Sequence, residues 1–146
     1  MKIISNTAFG GERPLFESHD LRMENVVIRA GESAIKECSN IEAVDCRFEG
    51  NYPFWHVHGF VIDRCFFDVG GRSALWYSDH LKMTDTRIDA PKMFREMHDI
   101  DNSGCCTKIH IRHPHGQYIL LFGNIPFIRI RPATRNDCIE IVFHNL

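Results

Sequence analysis

Apolar residues recur along this chain in blocks about twenty residues apart, and the blocks align without gaps. Leu21, Ile41, Phe60, Leu81 and Ile100 each follow a polar turn pair, at spacings of 20, 19, 21 and 19 residues. Counted from these anchors, position −10 holds Gly11, Gly31, Gly50, Gly71 and Ala90, and position −6 holds Leu15, Ile35, Phe54, Leu75 and Phe94. Position +2 holds Met23, Ala43, Ile62 and Met83, with Asn102 departing from the column, and +7 holds Ile28, Phe48, Phe67 and Ile88. A fixed period of this length is the mark of a repeat architecture, in which each unit buries its inner face only against its neighbours.

Within a unit the apolar positions 0, +2, +5 and +7 describe two short alternating strands joined by a kink, and −6 belongs to a third. Three strands and three turns make one coil of an all-β, three-sided parallel β-helix, with successive coils one strand spacing, about 4.8 Å, apart. A four-sided helix would need a buried residue at every fifth position, which Gly31 and Lys36 break after Leu21 and Val26. The expected molecule is a single domain over residues 1–146, with regular coils over 1–101 and irregular coils or a cap over 102–146. About six or seven coils are expected. Ile109 and Ile111 read as the next 0 and +2 pair, but they lie only nine residues beyond Ile100, so the register breaks near Cys105-Cys106. Ile128 and Ile130, 19 residues further on, read as the pair after that, and "CIEIVFHNL" as a final alternating strand.

Composition narrows the setting. The 146 residues carry 44% hydrophobic and 25% charged side chains, enough for one substantial core. A formal net charge of −2 offers no basic field, so nucleic acid is not an expected partner. Met1–Gly10 has one lysine and no apolar run, and no stretch reaches the ~18 apolar residues of a membrane helix. The six cysteines have no CxxC spacing, and with no secretory signal in view they read as reduced thiols in a cytoplasmic protein. Cys46 and Cys65, in the inward +5 column with Val26 and Thr86, read as small core fillers.

The phrases "FGGERPLFESHDLRMENV", "YPFW", "LWYSDHLKMTDT" and "IDAPKMFRE" resemble those of an uncharacterised bacterial family built on a domain of unknown function. Members of that family resemble pectin-lyase-like right-handed parallel β-helices, so the resemblance implies a right-handed coil. It covers roughly residues 7–101, and family members run to about twice this length, so the chain resembles an N-terminal half. No activity is implied by it.

Candidate chemistry lies on the outward columns. Position −5 holds Phe16, Lys36, Trp55, Trp76 and Arg95, and alternation against the core column at −6 turns it outward. An exposed aromatic file interleaved with cations suits stacking of sugar rings, or packing beneath a loop or another subunit. Position −4 holds Glu17, Glu37, His56, Tyr77 and Glu96. Glu17 and Glu37, one rung apart, would stand near the ~5 Å separation of a retaining glycosidase pair, with His56 and Tyr77 as proton donors. The alternative is a solvated polar ladder. "HVH" (His56, His58) and "HPH" (His113, His115) have chelating spacing but lack further ligands in sequence, so His113 and His115 are the only metal candidates retained. No cofactor is expected.

Two roles follow. One is a non-catalytic binding or self-assembling module, a homo-oligomer joined through an open coil end or the aromatic face. The other is a small carbohydrate-binding or carbohydrate-active protein. The first is preferred, because half of a longer pattern argues against a complete enzyme cleft.

Overall fold

The computed structural model describes residues 1–90, 92–100, 109–112, 128–132 and 138–143. In chain order the strands are β1 (Lys2–Glu12), β2 (His19–Glu32), β3 (Ser39–Val44), β4 (Arg47–Phe48), β5 (His58–Asp63), β6 (Phe66–Phe67) and β7 (Leu75–Trp76). They continue as β8 (Asp79–Thr84), β9 (Thr86–Ile88), β10 (Phe94–Arg95), β11 (His98–Ile100), β12 (Ile109–Arg112), β13 (Ile128–Pro132) and β14 (Cys138–Phe143). No helix occurs among the described residues.

The strands stack as a β-solenoid with parallel pairing, and the pairing follows the repeat columns residue by residue. Leu21 pairs with Ile41, Ile41 with Phe60, Phe60 with Leu81 and Leu81 with Ile100, making the first side from β2, β3, β5, β8 and β11. The second side pairs Ile28 with Phe48, Phe48 with Phe67 and Phe67 with Ile88. The third side has only β7 and β10 as named strands, but its ladder continues through the N–H groups of Leu15, Ile35, Phe54 and Leu75. These donate to the carbonyls of Ala34, Pro53, Ala74 and Met93 at 3.0, 2.8, 2.8 and 2.9 Å. Leu15, Ile35, Phe54 and Leu75 form a buried vertical file, as the repeat requires.

One coil was not visible in the anchors. β1 pairs with β2 in parallel, Lys2 with Leu21, Ile4 with Met23, Thr7 with Val26 and Phe9 with Ile28, so residues 2–12 supply two sides of a coil before the first anchor. Its core column is broken by Lys2 and Thr7, which is why the apolar rhythm does not reveal it.

The corners are made by backbone conformation. Arg13, Ser33, Tyr52, Ser73 and Lys92 at −8, and Glu17, Glu37, His56, Tyr77 and Glu96 at −4, all have positive φ. So do Asp20, Asn40, Gly59 and His80 at −1, and Asn25, Asp45, Arg64 and Asp85 at +4; the non-glycine values lie between 44° and 57°. The left-handed region costs an L-residue roughly 1–2 kcal/mol, least for Asn and Asp, which explains the Asx-rich −1 and +4 columns. Their side chains also stack: Asn25 Nδ2 donates to Asn6 Oδ1 at 2.8 Å and Asn40 Nδ2 to Asp20 Oδ1 at 2.5 Å.

At several of the bends at −4 and +4 the backbone N–H that follows turns inward, and a small polar side chain of the next coil accepts it. Val57 N–H donates to Ser78 Oγ at 3.0 Å, and Ser18 N–H to Cys38 Sγ at 3.3 Å, both in the −3 column. At +5, Cys46 N–H donates to Cys65 Sγ at 3.4 Å and Cys65 N–H to Thr86 Oγ1 at 3.3 Å. Cys46 and Cys65 are therefore buried structural residues, as expected, with Sγ and Oγ as backbone caps. Burial pushes the Cys38 thiol up to about 11, and a hydrogen bond with Cys46 together with burial pushes the Cys65 thiol far up. Neither presents a thiolate at neutral pH.

In the glycine column at −10, Gly31, Gly50 and Gly71 answer to close approach, whereas Gly11 has open space and a φ of 81°. A Cβ on Gly31 would lie 2.1 Å from the Gly11 carbonyl oxygen, and one on Gly71 2.7 Å from that of Phe48. Inside, the Phe48 and Phe67 rings stack at 4.7 Å with 22° between planes, close to the rung spacing itself.

Two expectations about the later chain are corrected. Ile109 and Ile111 do not continue the 0 and +2 columns; they pair in parallel with Thr86 and Ile88, which occupy +5 and +7. Nine residues separate Ile100 from Ile109 where five separate Leu81 from Thr86, so the break is an insertion before the second side rather than a new coil. Ile128 and Ile130 do not start a further parallel coil either. They pair antiparallel with Phe143 and Ile141 of β14, which is itself antiparallel to β12. An antiparallel strand satisfies the edge of β12 without a whole coil being wound. "CIEIVF" does form the expected strand, as β14.

Gly31→Ala should cost about 1–3 kcal/mol, because the new methyl meets backbone that cannot move without shifting a rung. Ser78→Ala should cost about 1–3 kcal/mol by leaving the Val57 N–H unpaired in the core, and Ser78→Thr less. Midpoints of urea unfolding, followed by circular dichroism, check both.

Candidate functional site

The site is built by the short third side. There −6 points into the core, −5 points out, and the left-handed residue at −4 ends the strand and projects outward as well. The outward columns therefore form a wall: Phe16, Lys36, Trp55, Trp76 and Arg95 in one file, Glu17, Glu37, His56, Tyr77 and Glu96 beside it. Trp76 and Arg95 pair directly across β7 and β10. Phe16 is 39% and Tyr77 37% exposed, while Trp55 and Trp76 are half-buried by one another and their neighbours.

The rings are not parallel plates. Trp55 and Trp76 meet edge to face at 6.3 Å, and Trp55 stacks on Tyr77 at 6.1 Å with 28° between planes. Tyr52 closes the group on the other flank, 4.7 Å from Trp55 and 5.6 Å from Trp76. Cations cover both ends of the file. Lys36 Nζ lies 5.2 Å from the Trp55 ring centre, and the Arg95 guanidinium lies 4.9 Å from Trp76 and 5.9 Å from Tyr77. At the first coil Arg13 lies 5.7 Å from Phe16. The Trp76 indole N–H donates to the Lys92 carbonyl at 2.7 Å, which fixes that ring's orientation. Each cation–ring contact is worth about 0.5–1 kcal/mol at such exposure.

Tyr52 was not among the candidate residues. Its −8 column otherwise reads Arg13, Ser33, Ser73 and Lys92, so an aromatic there is the odd member, and that was the signal available.

The −4 column is drawn together only in part. His56 Nδ1 lies 3.4 Å from Glu37 Oε1, and the His56 ring meets Tyr77 edge to face at 5.4 Å. Glu37 is thus engaged by histidine, and Glu17 lies one rung below it, its N–H donating to the Lys36 carbonyl at 3.0 Å. The arrangement supplies hydrogen-bonding groups along the edge of the aromatic wall.

The two histidines of "HVH" take different partners. Val57 between them is buried, His56 bends back to Glu37, and His58 Nδ1 bonds Asp79 Oδ2 at 2.8 Å on the next coil. Asp79 also accepts His80 Nδ1 at 3.0 Å on its other oxygen. Burial alone would raise the Asp79 carboxyl, but the hydrogen bonds from His80 and His58 outweigh it and hold the group below the ordinary carboxylate range. Among the described residues no group of three or more His, Cys, Asp or Glu side chains could hold a metal ion. His113 and His115 lie outside the described residues.

On the second side the outward charges pair among themselves. Arg47 lies 4.7 Å and Arg87 5.0 Å from the ring of Phe66 between them, and Arg47 also bonds Glu49 at 2.7 Å and Asp68 at 2.5 Å. At the +4 corner Arg64 bonds Asp45 at 2.9 Å, and it also bonds Asp63 at 2.5 Å.

Asp79 contributes stability that is present above the unfolded carboxylate pKa of about 3.9 and is lost as pH falls through its lower folded value. Asp79→Asn should therefore flatten that part of the acid limb while changing the midpoint near neutrality only slightly, since the pairs are largely exposed. Urea unfolding at a series of pH values checks this.

No curated protein and no solved structure gives a significant match to the chain. Residues 2–110, about three quarters of its length, match the family described as "Protein of unknown function (DUF3737)". That span takes in β1, the repeating coils and the outward aromatic wall, and on it the chain belongs to the DUF3737 family of proteins of unknown function.

Proposed function

We propose that this protein is a non-catalytic binding module whose contact surface is the outward wall of its third side. The observation that carries this is the half-open cluster of Tyr52, Trp55, Trp76 and Tyr77, with Lys36 and Arg95 laid on the indoles at its two ends. Folding does not require large rings at outward positions, and Phe16 and Tyr77 keep more than a third of their surface in water. A wall of rings one rung apart suits an extended ligand with flat apolar faces lying along the solenoid axis. A glycan chain is such a ligand: each pyranose has an apolar face, and its hydroxyls can bond the adjacent file of Glu17, Glu37, His56 and Glu96. Catalysis is disfavoured because Glu37 is already engaged by His56, and these groups lie along the rim of an open wall.

A second role, self-association, rests on a different observation. The outer edge of β1 has no ladder partner among the described residues, Ile3 is 62% exposed, and Ile4 and Phe9 are only partly buried at that end of the core. An uncovered edge over an open core end invites a second copy.

Native affinity electrophoresis through gels holding soluble glycans should retard the protein, and Trp55→Ala and Trp76→Ala should each weaken binding roughly two- to tenfold. Unchanged retardation in both variants would remove the wall as the site. For self-association, light scattering at micromolar concentration should give a dimeric or larger mass, and Ile3→Lys should shift it toward the monomer; a monomeric mass for the unaltered chain would end that role.

A further inference from the structure

We infer that the ligand of this wall is an acidic glycan, carrying negative charge at intervals rather than on every unit; the inference rests on the binding role proposed above. Its basis is a contrast among the cations that lie on aromatic rings. Arg13 on Phe16, and Arg47 and Arg87 on Phe66, are each also paired with a carboxylate. Lys36 and Arg95 have no carboxylate partner among the described residues and lie instead on Trp55 and Trp76. Each is held over a ring with its charge still uncompensated, and each can meet an anion without breaking an ion pair first.

Geometry sets the spacing. Lys36 and Arg95 belong to coils three rungs apart, about 14 Å along the axis, with Trp55 and Trp76 on the two rungs between. One rung is about the advance of one pyranose in an extended chain. A glycan aligned with the axis would place apolar ring faces on the central aromatics and an anionic group near at least one of the two cations, with no need of one on every unit. The −4 file decides against denser charge. Glu17, Glu37 and Glu96 run beside the rings, and their carboxylates repel a polymer with a negative group on every unit, single-stranded nucleic acid included.

The probes are hyaluronan, in which an acidic sugar alternates with a neutral one, neutral hydroxyethylcellulose, polygalacturonate, which is charged on every residue, and oligo(dT). Each is embedded in a native gel at low and moderate salt and run with the full chain. Hyaluronan should retard the protein most strongly, less at higher salt. Lys36→Gln/Arg95→Gln should weaken that binding about tenfold, while Lys2→Gln/Lys82→Gln, with the same change in net charge elsewhere, should leave it within twofold. Circular dichroism of both variants controls for folding.

Equal retardation by hydroxyethylcellulose, unaffected by Lys36→Gln/Arg95→Gln but lost in Trp55→Ala, would leave the binding wall standing and overturn its acidic preference. Stronger retardation by polygalacturonate or oligo(dT) than by hyaluronan would overturn the spaced-charge inference. An equal loss in the Lys2→Gln/Lys82→Gln variant would reduce the effect to net charge. No retardation by any probe would remove the inference and the glycan reading together.

Discussion

Along the parallel coils of the described residues up to Ile100, the backbone partner of most residues is the equivalent residue one coil away. That constraint, a parallel ladder running along the axis on three sides, governs the rest. It requires equivalent positions to share a conformation, so a corner in one coil must be a corner in all. The corners are left-handed residues recurring at −8, −4, −1 and +4, at a price of roughly 1–2 kcal/mol for each non-glycine residue. Ladder bonds, Asx stacking and the dry core offset this cost. The same constraint explains why Gly31 and Gly71 lack side chains, since the neighbouring rung's carbonyl occupies the space a Cβ would need.

Bending costs hydrogen bonds as well as torsional energy. Where the chain turns at −4 and +4, the following N–H leaves the regular ladder and would be stranded in the core, at about 1–3 kcal/mol each. Ser78, Cys38, Cys65 and Thr86 take up those groups from the preceding coil. Small polar side chains in two inward columns are thus part of the corner, and the buried cysteines belong to this set.

The aromatic wall follows from the same geometry. A side only a few residues long has one clearly outward position between a core residue and a bend, so rings there must meet rings from adjacent rungs. With the Trp76 N–H tied to Lys92 and cations seated on both indoles, the wall is ordered by its own contacts, which would lower the entropic cost of the binding proposed for it.

The residue pattern alone determined the solenoid, its anchor columns, the inward face of −6 and +5, and the outward face that carries Trp55 and Trp76. It could do so because stacking like on like writes the rung spacing into the chain as a period near twenty. It did not reveal β1, whose core positions include Lys2 and Thr7, nor the register of Ile109 and Ile111, where an insertion preserves alternation but moves the pair to another side. It also could not pair side chains. Only the tertiary structure decided that His56 turns to Glu37 while His58 turns to Asp79, that Tyr52 joins the indoles, and that Lys36 and Arg95 rest on rings instead of carboxylates. Those choices depend on bends and neighbouring rungs, and a linear pattern records which residues share a column but not which of them touch.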